Sequence, residues 1–371
     1  MRIPAALFPF CSQLLPFVKQ FEELQDKYVL RKLVSPSGLG LAGRDAGYSR
    51  NHPEVGVAVT DTLDPDDPAW DVLMLIGPTG TETVESTRLE IEAERAVKSG
   101  KSVLYFDRGS ARVPKRMWTL SNAYPGMIHI HAGDVGMPTI LTLTNNEYDH
   151  LDAPVVFVGG LVEEADTSDV LLGLMARLQT DGLCVTAVGK HPIGKLFGIH
   201  TLGHVFDRRD LTEAQKIREL NAYFKTLEIR ERPSVIIVEA PDALMRYNDF
   251  ATSGFGIRTY MVCQAVCPDF LVCCVPCDMA NVRFLDALSS DFERRLGSPI
   301  HAVHISNLVV DAMDLMQTHS ISHIHADMKA VLEQMVKEPG GSSIPMFDIV
   351  GDGVEGLCAH LREVVALAVR G

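Results

Sequence analysis

The stretch from 155 to 169 has the residue order of a phosphate-binding loop. An apolar run ends in Gly159 and Gly160, and a segment with helical apolar spacing begins near Thr167. Aligning Gly160 with the first glycine of G-x-x-x-x-G-K-[ST] places Thr167 at the hydroxyl that binds Mg²⁺. Asp166 then stands where the motif has its lysine. The pattern predicts a P-loop fold whose phosphate-binding cation is replaced by a carboxylate.

This replacement changes the expected chemistry. The P-loop lysine supplies positive charge to the β- and γ-phosphates, which the loop amides and the helix N-terminus hold in place. Asp166 repels phosphate and is better suited to cap a helix, and Glu163 and Glu164 add further negative charge. We therefore expect that this loop does not hydrolyse ATP or GTP by the usual P-loop mechanism.

Four residues elsewhere could complete a ligand site beside this loop. Lys190 and Lys195 lie in a glycine-rich segment and could supply the missing cation; the alternative is that this segment is a surface turn. Glu239 and Asp242 follow the apolar run 235–238, where a P-loop protein carries its Mg²⁺-associated acid. Open α/β sheets bind ligands at this carboxyl edge. The alternative for both acids is an ordinary strand end followed by helix-capping residues.

A second glycine-rich loop follows an apolar run in the N-terminal half. Glycine admits positive φ and close backbone approach, so such a loop can wrap an anion or a peptide. An arginine within it offers a planar fork to carboxylate or phosphate. The alternative is a tight structural loop in which the arginine pairs with the neighbouring aspartate or with another acid. The candidate binding residues are Ser35, Gly38, Gly40, Gly43, Arg44 and Asp45.

Cysteines and histidines cluster near the C-terminus without the spacing of a metal site. Cys273 and Cys274 are adjacent in an apolar run, so in a strand they face opposite sides, and Cys274 and Cys277 have no second C-x-x-C partner pair. Buried cysteines in strands behave as small apolar side chains. His323 and His325 could chelate an ion from a strand, but we expect solvated loop histidines. No metal ligand is assigned.

The apolar pattern alternates strand-like runs with helix-period segments, which is typical of parallel sheets covered by helices. At 371 residues the chain exceeds the size of one core. We predict two Rossmann-like or P-loop-like α/β lobes, with an N-terminal Rossmann-like domain at 1–150 and a degenerate P-loop-like domain at 151–371. Strands are predicted at 3–8, 28–34, 55–59, 72–76, 103–106, 155–158, 184–188, 235–239, 270–275, 301–305 and 347–350. Helices are predicted at 84–99, 167–180, 212–230, 279–296, 326–336 and 353–369.

Composition narrows the class of partner. The formal net charge of -14 opposes binding to nucleic acid or anionic membranes, which need a basic surface. No apolar run is long enough to span a bilayer, and the apolar N-terminus is short and interrupted by prolines, unlike a signal peptide. Eight cysteines without regular spacing favour a reducing compartment. We expect a cytoplasmic protein.

The string from Leu33 to Gly47 resembles the most characteristic motif of the Clo7bot-type peptide maturation system proteins. The similarity extends over most of the chain, through the loop after Val158 and the segments 189–198, 238–241, 248–257 and 264–269. These proteins accompany tailoring enzymes in gene clusters for ribosomally synthesised, modified peptides. The resemblance implies a role in such maturation. The chain departs from the family pattern in its cysteine-rich strand and at Asp166, where a basic residue is expected.

The leading hypothesis is an accessory protein that binds a precursor peptide or a partner maturation enzyme through a non-hydrolytic P-loop-like scaffold. One alternative is an NTP-dependent ligase-like or peptide-tailoring enzyme acting at the loops 35–47 and 189–198. Another is a cysteine-ligated metal protein. The sequence assigns no cofactor and leaves open both catalysis and homo-oligomerisation.

Overall fold

The computed structural model describes residues 2–78, 86–107, 112–133, 148–319, 321–327, 344–351 and 353–365. It has an α/β fold with two mostly parallel sheets covered by helices, which confirms the predicted fold class. The chain divides into two compact units. One comprises Met1–Met137 with Lys190–Asp207, and the other comprises Pro138–Gly189 with Arg208–Gly371. The predicted boundary at 150/151 stays a prediction; the segment Lys190–Asp207, which lies beyond it in sequence, groups with the first unit.

The first unit is built on a six-stranded sheet in the order β3-β2-β1-β4-β5-β6, parallel at every pairing. This is the strand order of the dinucleotide-binding fold. The turn after its first strand, from Pro9 to Ser12, carries no glycine and so lacks the dinucleotide fingerprint. The strands are β1 (Ile3–Phe8), β2 (Tyr28–Val34), β3 (Val59–Thr60), β4 (Val72–Ile76), β5 (Ser102–Asp107) and β6 (Ile128–Ala132). The helices before residue 138 are α1 (Leu15–Lys19), α2 (Phe21–Leu24), α3 (Ser86–Lys98) and α4 (Lys115–Ala123).

Helix α3 illustrates how apolar residues at helical spacing form a helix that packs on the first sheet. Leu89, Ala93, Ala96 and Val97 recur at helical spacing and are buried against the sheet. The helix ends at Lys98, and Gly100 follows with a φ of 78°, the left-handed conformation that glycine adopts most easily. The central strands are buried on both faces, which explains their continuous apolar sequence.

The second sheet has seven strands in the order β15-β12-β11-β7-β10-β8-β9. The strand that precedes the phosphate-binding loop, β7 (Val155–Gly160), is central, between β10 (Val235–Glu239) and β11 (Phe270–Pro276). The others are β8 (Val185–Gly189), β9 (His200–Thr201), β12 (Ala302–Ser306) and β15 (Met346–Phe347), and β13 (Leu308–Val310) pairs with β14 (His323–His325) as an antiparallel hairpin. The other α-helices among the described residues are α5 (Thr167–Thr180), α6 (Gly203–Phe206), α7 (Glu213–Glu231), α8 (Ile257–Val266), α9 (Val282–Leu296), α10 (Ala312–Thr318) and α11 (Val354–Val364).

Most predicted elements agree with these bounds, and the exceptions are short or peripheral. The strand predicted at 55–59 is reduced to Val59–Thr60, and the one at 347–350 is Met346–Phe347. The helix predicted at 326–336 lies outside the described residues except at 326 and 327, which are not helical. In the described part of the chain, every helix is too short or too polar to cross a membrane.

Candidate functional site

Strand β7 ends at Gly160, and α5 begins seven residues later at Thr167, which is the connection expected of a P-loop. Both glycines at the strand end are needed for space. A Cβ on Gly160 would overlap the carbonyl oxygen of Val162, and one on Gly159 would overlap the buried side chain of Leu244. The loop therefore turns tightly at the carboxyl edge of the sheet.

Asp166 lies at the N-cap position of α5, but it does not cap the helix with its side chain. Its backbone is left-handed, with φ 55° and ψ 20°, a conformation that aspartate tolerates better than most residues. The carboxylate is 3% exposed, and its Oδ2 lies 3.3 Å from His304 Nε2. The expected side-chain cap is thus replaced by a buried pair with a histidine 138 positions away.

The sheet register explains how His304 reaches this position. Gly160 pairs with Cys274 on β11, and Cys274 pairs with His304 on β12. His304 is therefore two strand spacings, about 10 Å, from the end of β7. The amide of Ile349 donates to His304 Nδ1 at 3.2 Å. The carbonyl oxygen of Phe347 also lies 3.3 Å from Nδ1. Because an ionised carboxylate can only accept, Nε2 is the donor to Asp166.

Glu239 occupies the position of the acidic Mg²⁺-associated residue and is buried beside the start of α5. Its Oε1 accepts hydrogen bonds from Thr167 Oγ1 at 2.8 Å and from Ser168 Oγ at 2.7 Å. The structure thus brings together Gly159, Gly160, Thr167 and Glu239, as the motif predicts. Both hydroxyls are donors to protein oxygen in this arrangement, which gives the carboxylate two fixed partners.

Two amides of the loop also donate to carbonyls of the same loop. Ala165, at the second glycine position of the motif, donates to the carbonyl of Val162 at 3.3 Å, and Asp166 donates to that of Glu164 at 2.8 Å. In a working P-loop these amides point to the phosphates. Here they close the loop on itself.

A carboxylate of the loop makes a further contact with the β13–β14 hairpin. Glu164 Oε2 lies 2.9 Å from His323 Nε2. His323 and His325 do lie in a strand, contrary to the loop expected, and their ring centroids are 5.3 Å apart. Within the described residues, no three His, Cys, Asp or Glu side chains are grouped so that they could hold a metal ion.

The side chain of Asp242 accepts hydrogen bonds at the beginning of α8. It accepts hydrogen bonds from the amides of Thr259 at 2.8 Å and Arg258 at 3.2 Å, and from the Thr259 hydroxyl. Burial raises its pKa, although these hydrogen bonds act in the opposite direction. This contact corresponds to the helix-capping alternative for Asp242.

Lys190 and Lys195 belong to the segment that groups with the first unit. The ammonium group of Lys195 donates to the carbonyl of Gly133, just after β6. Burial and the nearby charge of Lys195 lower the pKa of His131. Aromatic contacts hold the same segment: Phe197 packs on Phe17, with ring centroids 5.6 Å apart. A role of either lysine in ligand binding stays a prediction.

The loop from Ser35 to Gly47 is organised by Asp45. Its two carboxylate oxygens accept from the amides of Gly47, Val55 and Gly56 at 2.7–2.8 Å. Arg44 does not pair with this carboxylate; its guanidinium carbon lies 3.8 Å from the ring centroid of the exposed Tyr48. Ser35 is buried, and its amide donates to Thr60. Positive φ angles occur at Gly38, Gly40 and Gly43.

The cysteines are free thiols, and those in the strand are buried as expected. Burial raises the pKa of Cys263 and Cys273 above the usual thiol range. Cys277 is half-buried, burial raises its pKa, and its Sγ contacts the Leu308 carbonyl at 3.5 Å. These environments favour the thiol form, which is a poor metal ligand and nucleophile.

Sequence reasoning missed His304 as a site residue. The available signal is its place between Val303 and Ile305 in an apolar strand, because a buried imidazole needs polar partners. The identity of that partner could not be read from the sequence, since it depends on the order of β7, β11 and β12.

No protein-family model and no curated protein matches this chain. Among solved structures, a DUF1611 family protein from Anabaena variabilis is similar, with 12% identity and a TM-score of 0.60, over 98% of this chain and 100% of that chain. An apo-form GTPase from Pyrococcus abyssi matches with 14% identity and a TM-score of 0.31, over 58% of this chain and 98% of that chain. The first similarity supports the two-sheet α/β fold, and the second carries no weight.

Proposed function

We propose that this chain is a binding protein that keeps a P-loop fold without triphosphate chemistry. The observation that carries the proposal is the buried pair of Asp166 with His304 at the position of the P-loop lysine. A triphosphate placed there would face a buried carboxylate instead of the ammonium group of the motif lysine.

Two further features support the same conclusion. The amides of Ala165 and Asp166 donate to carbonyls of the loop, so a phosphate would have to displace those hydrogen bonds. The hydroxyl of Thr167, the Mg²⁺ ligand of the motif, donates to Glu239. Seating Mg²⁺ and a triphosphate would therefore require the loop to rearrange as well as to overcome charge repulsion.

The partner in this proposal is a precursor peptide or a partner enzyme of peptide maturation, acting in the cytoplasm. This part rests on the resemblance of the loop from Leu33 to Gly47 to the Clo7bot-type proteins and on the acidic net charge of -14, which disfavours nucleic acid. The eight free thiols support a reducing compartment.

Calorimetric titration of the full chain with Mg-ATP and with Mg-GTP, beside a phosphate-release assay, tests the proposal. We expect no micromolar binding and no turnover. The Asp166→Asn variant is the matched control, because it removes the charge and preserves the shape; it should gain at most weak binding, since the loop amides remain bonded. Micromolar affinity of the unmodified protein coupled to turnover would overturn the proposal.

A further inference from the structure

Helix α10 exposes two methionines on one side. Met313 is 69% exposed and Met316 is 71% exposed, whereas Leu315 between them is 5% exposed and anchors the helix. Residues three apart lie on neighbouring turns of one helix face. Methionine is flexible and polarisable, and exposed methionines are common on surfaces that bind peptides.

An aromatic side chain extends this apolar surface beyond the helix. His319 follows α10 as its C-cap, three residues after Met316. Phe250, which is 58% exposed, stacks on His319 with ring centroids 4.8 Å apart and an interplanar angle of 15°. Phe250, Met313, Met316 and His319 thus form one exposed surface, which we call the methionine stripe.

The charges beside the methionine stripe are acidic. Between Arg295 and Lys329 the sequence contains no Lys or Arg and three Asp, a formal charge of −3 with neutral histidines. Asp314 lies between the two methionines, and Asp311 precedes the helix and accepts from two of its amides. Beyond the stripe, Asp249 adjoins Phe250 and pairs with Arg246 at 2.9 Å.

We propose that the methionine stripe is a docking surface for a linear peptide segment that carries apolar side chains flanked by Lys or Arg. This rests on the peptide-binding function proposed above and adds the location and the chemistry of the partner. Apolar side chains of the peptide contact Met313, Met316 and Phe250, and its cations are attracted by the negative charges of Asp311 and Asp314 at the start of α10. A second copy of the chain would bring like charges together, and an anionic membrane would be repelled for the same reason.

Fluorescence anisotropy with labelled synthetic peptides tests this proposal. The probes are peptides of about 15 residues, roughly four helical turns. One combines Leu and Lys at amphipathic spacing, one replaces Lys with Glu, and one replaces Leu with Ser. We expect the Leu/Lys peptide to bind at least about tenfold more tightly than either of the others, because only it matches both the apolar surface and its charge.

Variants that keep the net charge locate the binding. Met313→Ser with Met316→Ser, and separately Phe250→Ser, should each weaken Leu/Lys binding by about tenfold, since each removes apolar contact area. Ile229→Ser is the matched control: Ile229 is 45% exposed on α7 of the same unit, and its replacement should leave affinity unchanged. Circular dichroism verifies that each variant is folded.

Three results would overturn the docking surface. The first is that the stripe variants bind the Leu/Lys peptide with the same affinity as the unmodified protein. The second is that the Leu/Glu peptide binds as tightly as the Leu/Lys peptide. The third is a dimer in light scattering that the double methionine variant converts to a monomer. None of them bears on triphosphate chemistry. Conversely, Mg-ATP turnover by a protein whose stripe variants lose peptide binding would reject the proposed function and leave the docking surface in place.

Discussion

Asp166, which stands where the P-loop motif has its lysine, is hydrogen-bonded to His304, a residue far away in sequence. An unpaired carboxylate on a residue that is 3% exposed would be strongly unfavourable, but His304 donates a hydrogen bond to it. The histidine is in turn held by the amide of Ile349 on the strand-end segment after β15. Asp166 is therefore part of a buried hydrogen-bonded pair. Its carboxylate stabilises the fold at the position where the motif lysine would bind phosphate.

Replacing Asp166 should separate its hydrogen bond from its charge. Asp166→Ala leaves the buried Nε2–H of His304 without an acceptor and should lower the free energy of unfolding by about 1–3 kcal/mol. Asp166→Asn retains an acceptor oxygen and tolerates the left-handed backbone, so its loss should be smaller. Urea unfolding measures both. Asp249→Ala, at an 81% exposed side chain, is the control and should change stability little.

Equal stability of the unmodified protein and Asp166→Ala would show that the pair with His304 contributes nothing to the fold. The interpretation of the loop as a built, phosphate-excluding structure would then lose its main support.

At the scale of elements, the loop from Ser35 to Gly47 shows how a carboxylate can replace regular secondary structure. Asp45 accepts from three amides, one of them within the loop and two more than nine residues later. Arg44 and Gly43 exchange backbone hydrogen bonds with Val59 of β3. These contacts fix the backbone and leave the Arg44 guanidinium at the surface, on Tyr48.

The stability contributed by Asp45 should depend on pH. Burial alone would raise its pKa, but hydrogen bonds from Val55, Gly47 and Gly56 outweigh burial and hold the pKa below the usual 3.8. A carboxylate with a lowered pKa in the folded state stabilises the protein above about 3.8, and this contribution disappears as the pH falls through the folded-state pKa. Asp45→Asn should therefore destabilise the protein at neutral pH and progressively less in acid.

Thermal unfolding at several pH values, from neutral to below 3.8, measures this difference. Asp26→Asn is the control, because the carboxylate of Asp26 is fully exposed. This substitution should change the unfolding temperature little at either end of the pH range. A destabilisation by Asp45→Asn that grows as the pH falls would contradict the assignment.

Elements that are long and apolar could be predicted from the sequence, whereas those defined by partners could not. Val235–Glu239 is a buried strand that is apolar up to its last residue, and its bounds, like those of the mostly apolar Tyr28–Val34, agree with prediction. The hairpin of β13 and β14 has only three residues in each strand, and two of them are half-buried histidines, so it lacks a local signal. The P-loop outline was visible because its spacing is local, but the partner of Asp166 depends on which strands are neighbours.

At the scale of the whole molecule, the first unit is discontinuous in sequence. Its sheet is complete by Ala132, yet Lys190–Asp207 groups with it after two strands of the second sheet. The reason lies in apolar contacts: Phe197 is buried, and its ring centroid is 5.6 Å from that of Phe17 and 5.7 Å from that of Phe21. A sequence boundary drawn from composition alone cannot detect such a return.

This division predicts which helices lose stability when a residue of the segment Lys190–Asp207 is mutated. Phe197→Ala removes a buried aromatic ring, a change that typically costs about 3–5 kcal/mol, and should increase amide hydrogen exchange in α1 and α2. Exchange in α8 should change little. Phe224→Ala, which truncates a fully buried ring on α7, should give the opposite pattern. If Phe197→Ala instead loosened only α7 and α8, the segment would belong energetically to the second unit, and a boundary near residue 151 would be the better description of how this chain is divided.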